Sequence, residues 1–168
     1  MTKTKQACIR KPTVEDAQGI KRLVDDASTT GALLPRSLME IYEHLRDFTV
    51  YADEDGVGGC CALHIDTADL AEIRSLVVSE RLRGRDIGER LLLACLDEAR
   101  ALSISKAYAL TRIPEFFERR HFVRIEKSEL PHKVFKDCVR CTMFPGCDEI
   151  AVIRDLRETP DRDAAGEE

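Results

Sequence analysis

The chain has 168 residues, 43% of them hydrophobic and 34% charged, with a formal net charge of −5. That length and apolar content suit one α/β domain with a sizeable core, and no run approaches the roughly 20 apolar residues of a membrane span. The acidic balance argues against nucleic acid as a partner, because phosphate binding needs a concentrated basic face.

Met1-Thr2-Lys3-Thr4-Lys5 is basic, but no apolar segment follows it as a secretory signal would require, so the chain is expected in the cytosol. Its seven cysteines then read as reduced thiols rather than a disulfide framework. One domain is expected over residues 1–156. Residues 157–168 mix Asp, Glu, Pro and Gly with little to bury and are expected to form a disordered acidic tail.

In chain order, Cys8-Ile9-Arg10 is a short strand candidate. Thr13 and Asp16 have capping-box spacing, and Ala17, Ile20, Leu23, Val24 and Ala27 follow as a helical stripe. Ser37 to Glu40 is a second helix start, leading into Ile41, Leu45 and Phe48. The intervening Gly31–Arg36 loop carries apolar residues, which either line a cleft or cover the core. A meander follows, with strands over Phe48–Ala52, Gly59–Ile65 and Leu70–Val78 separated by turns at Asp53–Gly56 and Asp66–Asp69. A long helix runs to about Ala101, its buried face marked by Ile87, Leu91, Leu92, Cys95, Leu96, Ala99 and Leu102. Then come a strand over Lys106–Leu110, a short helix opened by Pro114, a strand over Phe122–Glu126 and a last strand over Glu149–Ile153. The order β-α-α-β-β-β-α-β-α-β-β predicts a mixed sheet flanked by helices.

The segment that carries chemistry is Leu76-Val77-Val78 followed by Arg83-Gly84-Arg85-Asp86-Ile87-Gly88-Glu89. A strand that stops at a basic, glycine-containing loop opening a helix makes an anion site. Free backbone N–H groups and the positive helix end point at the ligand, and glycine lets the backbone approach closely. Arg81, Arg83 and Arg85 add charge suited to a pyrophosphate or phosphate.

The order of elements and this loop resemble the GNAT acetyltransferase superfamily, whose pyrophosphate loop runs Gln/Arg, two residues, Gly, one residue, Gly/Ala. Arg83 and Gly88 match its ends; Asp86 stands where the middle glycine belongs. Within the superfamily, Gly31-Ala-Leu-Leu-Pro-Arg-Ser37, Cys60-Cys-Ala-Leu63, Ala71-Glu72, Leu110-Thr-Arg112, Phe116-Phe-Glu-Arg119 and Leu130-Pro-His-Lys133 resemble N-acetylglutamate synthase. With Lys136-Asp-Cys-Val-Arg-Cys141 and Cys147-Asp-Glu149, the likeness is to its short form, without an amino-acid kinase domain.

The resemblance implies a GNAT fold, acetyl-CoA as cosubstrate, L-glutamate or a similar small-molecule amino acid as acceptor, and a possible homodimer. It implies Glu72 as the base for the α-ammonium. Arg74, two residues on and on the same strand face, is the alternative that would hold Glu72 in a structural ion pair. Backbone N–H groups around Leu76, Val77 and Val78 are the expected oxyanion donors. The usual GNAT acid is a tyrosine in the short helix, where this chain has Phe117, and His121 replaces an expected glycine. Phe117 cannot donate a proton, so its expected role is contact with the cosubstrate. Thr111 is the possible donor, or simply a strand-end hydroxyl. Arg36 and Arg112, with Arg74 as a third, are the expected carboxylate-binding residues, since guanidinium binds carboxylate bidentately. Cys138, Cys141 and Cys147 have chelate-like spacing with His132 nearby, but they are read as packed thiols and no metal is expected. Cys60 and Cys61 read as small core residues.

Overall fold

The computed structural model describes residues 6–130, 136–143 and 146–158. Strand β1 (Cys8–Arg10) leads to Thr13, whose N–H donates to the Asp16 carboxylate at 2.7 Å while Arg10 pairs with the same carboxylate at 2.7 Å. A 3-10 turn over Val14–Asp16 therefore precedes helix α1 (Ala17–Thr29), which buries Ala17, Ile20, Leu23, Val24 and Ala27. Helix α2 (Leu38–Glu43) is closed by a reciprocal cap. Glu40 N–H donates to Ser37 Oγ at 3.2 Å, and Ser37 N–H donates to Glu40 Oε2 at 2.6 Å.

Strands β2 (Phe48–Asp53), β3 (Gly56–Ile65) and β4 (Leu70–Val78) form the antiparallel meander. Strand β3 starts at Gly56, three residues before the expected Gly59, because Gly56 already pairs with Asp53 across the turn. Helix α3 (Ile87–Ala101), strand β5 (Lys106–Thr111), helix α4 (Pro114–Glu118) and strands β6 (Val123–Ile125) and β7 (Ile150–Asp155) complete the chain. The seven strands lie in the order β1-β2-β3-β4-β5-β7-β6.

Helices α1 and α2 cover one face of the sheet through Val50, Cys60 and Ala62, while α3 covers the other through Cys61, Leu63, Ile73 and Ala107. Adjacent Cys60 and Cys61 thus enter opposite cores, as strand alternation requires, and both are fully buried. Burial pushes the Cys60 thiol up to about 12, so it packs as a neutral group.

Two local features open the sheet. Strands β4 and β5 pair in parallel only at Leu70–Lys106, Ala71–Ala107 and Glu72–Tyr108, then separate. In β4, Ser75 and Leu76 together face the single residue Cys61 of β3, because Cys60 pairs with Val77 and Ala62 with Arg74. This bulge places Ser75 in the left-handed region at φ 51 and bends β4 away from β5. Cys60 Sγ donates to the Ser75 carbonyl at 3.4 Å, occupying a group the bulge takes out of the ladder.

Candidate functional site

The gap between β4 and β5 is a cleft of about 400 Å³. Its walls are β4 from Glu72 to Val77, β5 from Ala109 with Thr111 and Arg112, the Ala32–Arg36 loop, Phe117 of α4, and Cys138, Cys141 and Cys147. The loop after α1 therefore lines the cleft, with Leu34 half exposed there.

At the end of β4, a 3-10 turn over Glu80–Leu82 carries the chain to α3. Buried Leu82 anchors this turn against β3. A Cβ on Gly58 would come within 2.3 Å of Leu82 Cδ1, so only glycine permits the contact. Gly84 has φ +74, and Asp86, the residue before α3, is left-handed at φ 56. Asp is among the few non-glycine residues found in this conformation, so the turn keeps its path without a glycine at a cost of about 1–2 kcal/mol. Asp86 makes no capping bond and its side chain is exposed, which leaves the first amides of α3 without a side-chain acceptor. Gly88 sits beside Val78, joining the helix start to the end of the cleft strand.

The loop cations divide. Arg83 and Arg85 are exposed, with Arg83 3.6 Å from Glu80. Arg81 corrects the expectation of a third anion ligand: it forms a two-bond pair with Asp53 at 2.9 and 3.0 Å, tying it to the β2–β3 turn. Glu89 pairs with Arg120, whose guanidinium lies 6.0 Å from the Phe116 ring centroid.

Inside the cleft, Glu72 is buried and accepts a hydrogen bond from Arg74 Nε, so the alternative ion pair is present. Arg74 also donates to Asp137 Oδ2 at 2.9 Å. Arg36 lies beside this group and, among the described residues, donates only through Nε, to Ser75 Oγ at 3.1 Å. Among the described residues it has no carboxylate within ion-pair distance. Burial, together with the neighbouring Arg74 charge, lowers its pKa below the usual arginine range. Arg112 bridges two loops, donating to Asp148 Oδ1 at 2.8 Å and to the Gly31 carbonyl at 2.6 Å.

Thr111 is buried and its Oγ1 accepts from the Ile113 N–H at 3.0 Å, the strand-end role, which leaves its own proton free to be donated. Phe117 is buried, packed edge-on against Phe116 and Phe122 at 5.3 and 5.2 Å between ring centroids.

Four groups in the cleft were not singled out from sequence: Ser75, Asp137, Lys127 and Glu149. Lys127 Nζ donates to the Cys147 carbonyl at 3.0 Å. Burial raises the Glu149 carboxyl above its ordinary range, with the Arg112 charge opposing. Lys127 and Glu149 lie at the two ends of a long irregular connection between β6 and β7, where spacing carries no signal; only the Cys147-Asp-Glu149 string pointed there. The three loop cysteines all reach the cleft, and among the described residues no group of three metal donors forms around them. His132 lies outside the described residues.

The acetyltransferase (GNAT) family pattern matches residues 20–122. An uncharacterized N-acetyltransferase of Chlorobaculum tepidum is 37% identical over 89% of this chain and 96% of its own length. The amino-acid acetyltransferase of Mycobacterium tuberculosis is 34% identical over 83% of each chain. Among solved structures, N-acetylglutamate synthase from Neisseria gonorrhoeae complexed with coenzyme A and N-acetyl-glutamate superposes with a TM-score of 0.81. Identity there is 30%, over 92% of this chain and 36% of that longer one. A Mycobacterium tuberculosis protein solved in complex with CoA gives a TM-score of 0.76 at 28% identity, over 88% of this chain and 98% of that one.

Proposed function

Since the chain belongs to the acetyltransferase (GNAT) family, we propose that it moves the acetyl group of acetyl-CoA onto the α-amino group of an anionic amino acid, L-glutamate first among them. The observation that carries the acceptor class is Arg36: a part-buried guanidinium beside a second arginine, with both Nη groups making no bond among the described residues. A carboxylate from the acceptor supplies the missing counter-charge bidentately. The cleft holds Arg36, Arg74, Arg112 and Lys127 against Glu72, Asp137 and Glu149, and two of those carboxylates are bonded to Arg74.

The pyrophosphate of acetyl-CoA meets the Arg83–Gly88 turn, with Arg83, Arg85 and the first amides of α3 as donors. The pantetheine arm lies along β4 in the gap, and the amides of Leu76 to Val78 face the thioester oxygen. Glu72 accepts a proton from the α-ammonium, directly or through water, while Arg74 and Asp137 hold its carboxylate in place. The free amine attacks the thioester carbonyl, the oxyanion collapses, the C–S bond breaks and the thiolate takes a proton, for which the Thr111 hydroxyl, in the cleft wall, is the candidate donor. One proton is released to solvent per acetyl transferred. A chain with this activity on glutamate would act at the entry to arginine biosynthesis, and its seven unpaired cysteines suit a reducing cytosol.

The test is CoA-thiol release from acetyl-CoA across a panel of L-amino acids and polyamines. Preference for glutamate, lost in Arg36→Ala, supports the reading. Turnover with glutamine or a polyamine alone discards the acceptor and keeps the chemistry. CoA binding without turnover on any amine discards the enzyme reading for an acyl-CoA sensor.

A further inference from the structure

Outside the cleft, on the sheet face covered by α1 and α2, three donor groups converge. His44 caps the C-terminus of α2, Asp47 lies one turn on in a 3-10 segment, and His64 is near the end of β3. Both imidazoles direct Nδ1 at the same carboxylate oxygen: His64 Nδ1 is 2.8 Å and His44 Nδ1 3.5 Å from Asp47 Oδ2. The three donor atoms all lie within 4.8 Å of one another. In a tetrahedral zinc site with bonds of about 2.0–2.2 Å, neighbouring donors stand roughly 3.3–3.5 Å apart. The His44–Asp47 edge already has that length, and the His64–Asp47 edge needs to open by roughly half an ångström.

A second observation concerns the far side of His64. Asp66 has a side chain only 1% exposed; its Oδ2 accepts from Tyr108 Oη, but Oδ1 has no hydrogen-bond donor among the described residues. That orphaned oxygen is 3.9 Å from His64 Nε2. Lys136 Nζ stands beside both, 3.4 Å from Nε2 and 3.8 Å from Oδ1. With Lys136 Nζ donating to Nε2, the His64 ring proton sits on Nδ1 towards Asp47. A metal on Nδ1 moves that proton to Nε2 and turns Lys136 aside, and the buried Asp66 Oδ1 is then the acceptor that metal-bound histidines ordinarily have behind them.

We propose that His44, Asp47 and His64 form a binding site for a divalent transition-metal ion, zinc in the first instance, with water as a fourth ligand and Asp66 orienting His64. Two imidazoles and one carboxylate are a borderline donor set that favours zinc over magnesium or calcium. None of the three ligands lines the cleft. The ion therefore acts as a staple between the end of α2 and β3, and it takes no part in acetyl transfer.

The experiment uses the full chain, stripped with a chelator and titrated with zinc chloride alone by calorimetry. The expected result is one zinc per chain and a higher Tm when it is bound. His44→Ala, chosen because that side chain is 44% exposed, and Asp47→Asn should each weaken binding by roughly tenfold or more. Cobalt in place of zinc should give visible bands without thiolate-to-metal charge transfer. The proposal is overturned if no stoichiometric zinc binds. It is equally overturned if the cobalt spectrum shows a thiolate band that Cys138→Ser removes while His44→Ala leaves affinity unchanged. Neither result bears on acetyl transfer, which thiol release measures separately.

Discussion

Arg36 reaches the cleft from a loop, bonds once to Ser75 and leaves the rest of its guanidinium to a ligand. Charged hydrogen bonds of this kind contribute about 1.5–3 kcal/mol, so Arg36→Ala should raise KM for an anionic acceptor roughly 10–100-fold. KM for acetyl-CoA should stay unchanged, and steady-state kinetics with each substrate varied in turn separates the two. Glu72→Gln keeps the shape and removes the base; kcat should fall roughly 10²–10⁴-fold with KM little changed. Glu149 tests the opposite wall. Its carboxyl is raised by burial, so the protonated form is favoured in the fold, and that contribution is present below the unfolded pKa and lost as pH rises through the folded one. Glu149→Gln, neutral throughout, should therefore raise Tm at about pH 8 and leave it unchanged at about pH 4, read by thermal melts across that range. Glu72 and Arg36 are legible in the residue strings Ala71-Glu72 and Leu-Pro-Arg36 themselves. Asp137, 63 residues from the Arg74 it bonds, sits in a loop whose path no local pattern describes.

At the scale of elements, two positions where the family pattern expects glycine keep its conformation with other side chains. Asp86 has φ 56 and His121 φ 63. Both residue types enter the left-handed region at a cost of about 1–2 kcal/mol, which glycine avoids. Asp86→Gly should raise Tm by a few degrees and tighten CoA binding, since it also removes a carboxylate near the phosphate loop; Asp86→Val should lower both. Calorimetric melts and CoA titration read the two effects. The bulge at Ser75 follows a different logic. Nothing in the sequence around Ser75 announces a left-handed residue, and the bulge exists because β4 must pair with β3 along its length while parting from β5 after Glu72.

For the molecule as a whole, α3 joins stability to the site, since it starts from the turn proposed to hold the cosubstrate and its buried stripe fills one of the two main cores. Leu91 is fully buried there, with its Cδ1 only 3.0 Å from where a Cβ on Gly59 would stand. Leu91→Ala should cost about 2–5 kcal/mol through lost burial and a cavity, and lower Tm by roughly 5–15 °C. Leucine at this position also keeps β3 close to α3, so thermal melts and CoA affinity should decline together.

The order of elements, the buried Cys60 and Cys61 and the amphipathic stripes, save for Leu102 at the exposed end of α3, were determined by sequence alone, because strand and helix periodicities and caps are written within a few residues of each other. Other features were decided only in three dimensions: β7 inserted between β5 and β6, the opening between β4 and β5, Arg81 turned to Asp53, and His44 and Asp47 brought against His64. Each of these depends on which strands share hydrogen bonds and which charges lie nearest after packing. Those choices are made between residues tens of positions apart, where spacing along the chain carries no information about distance in space.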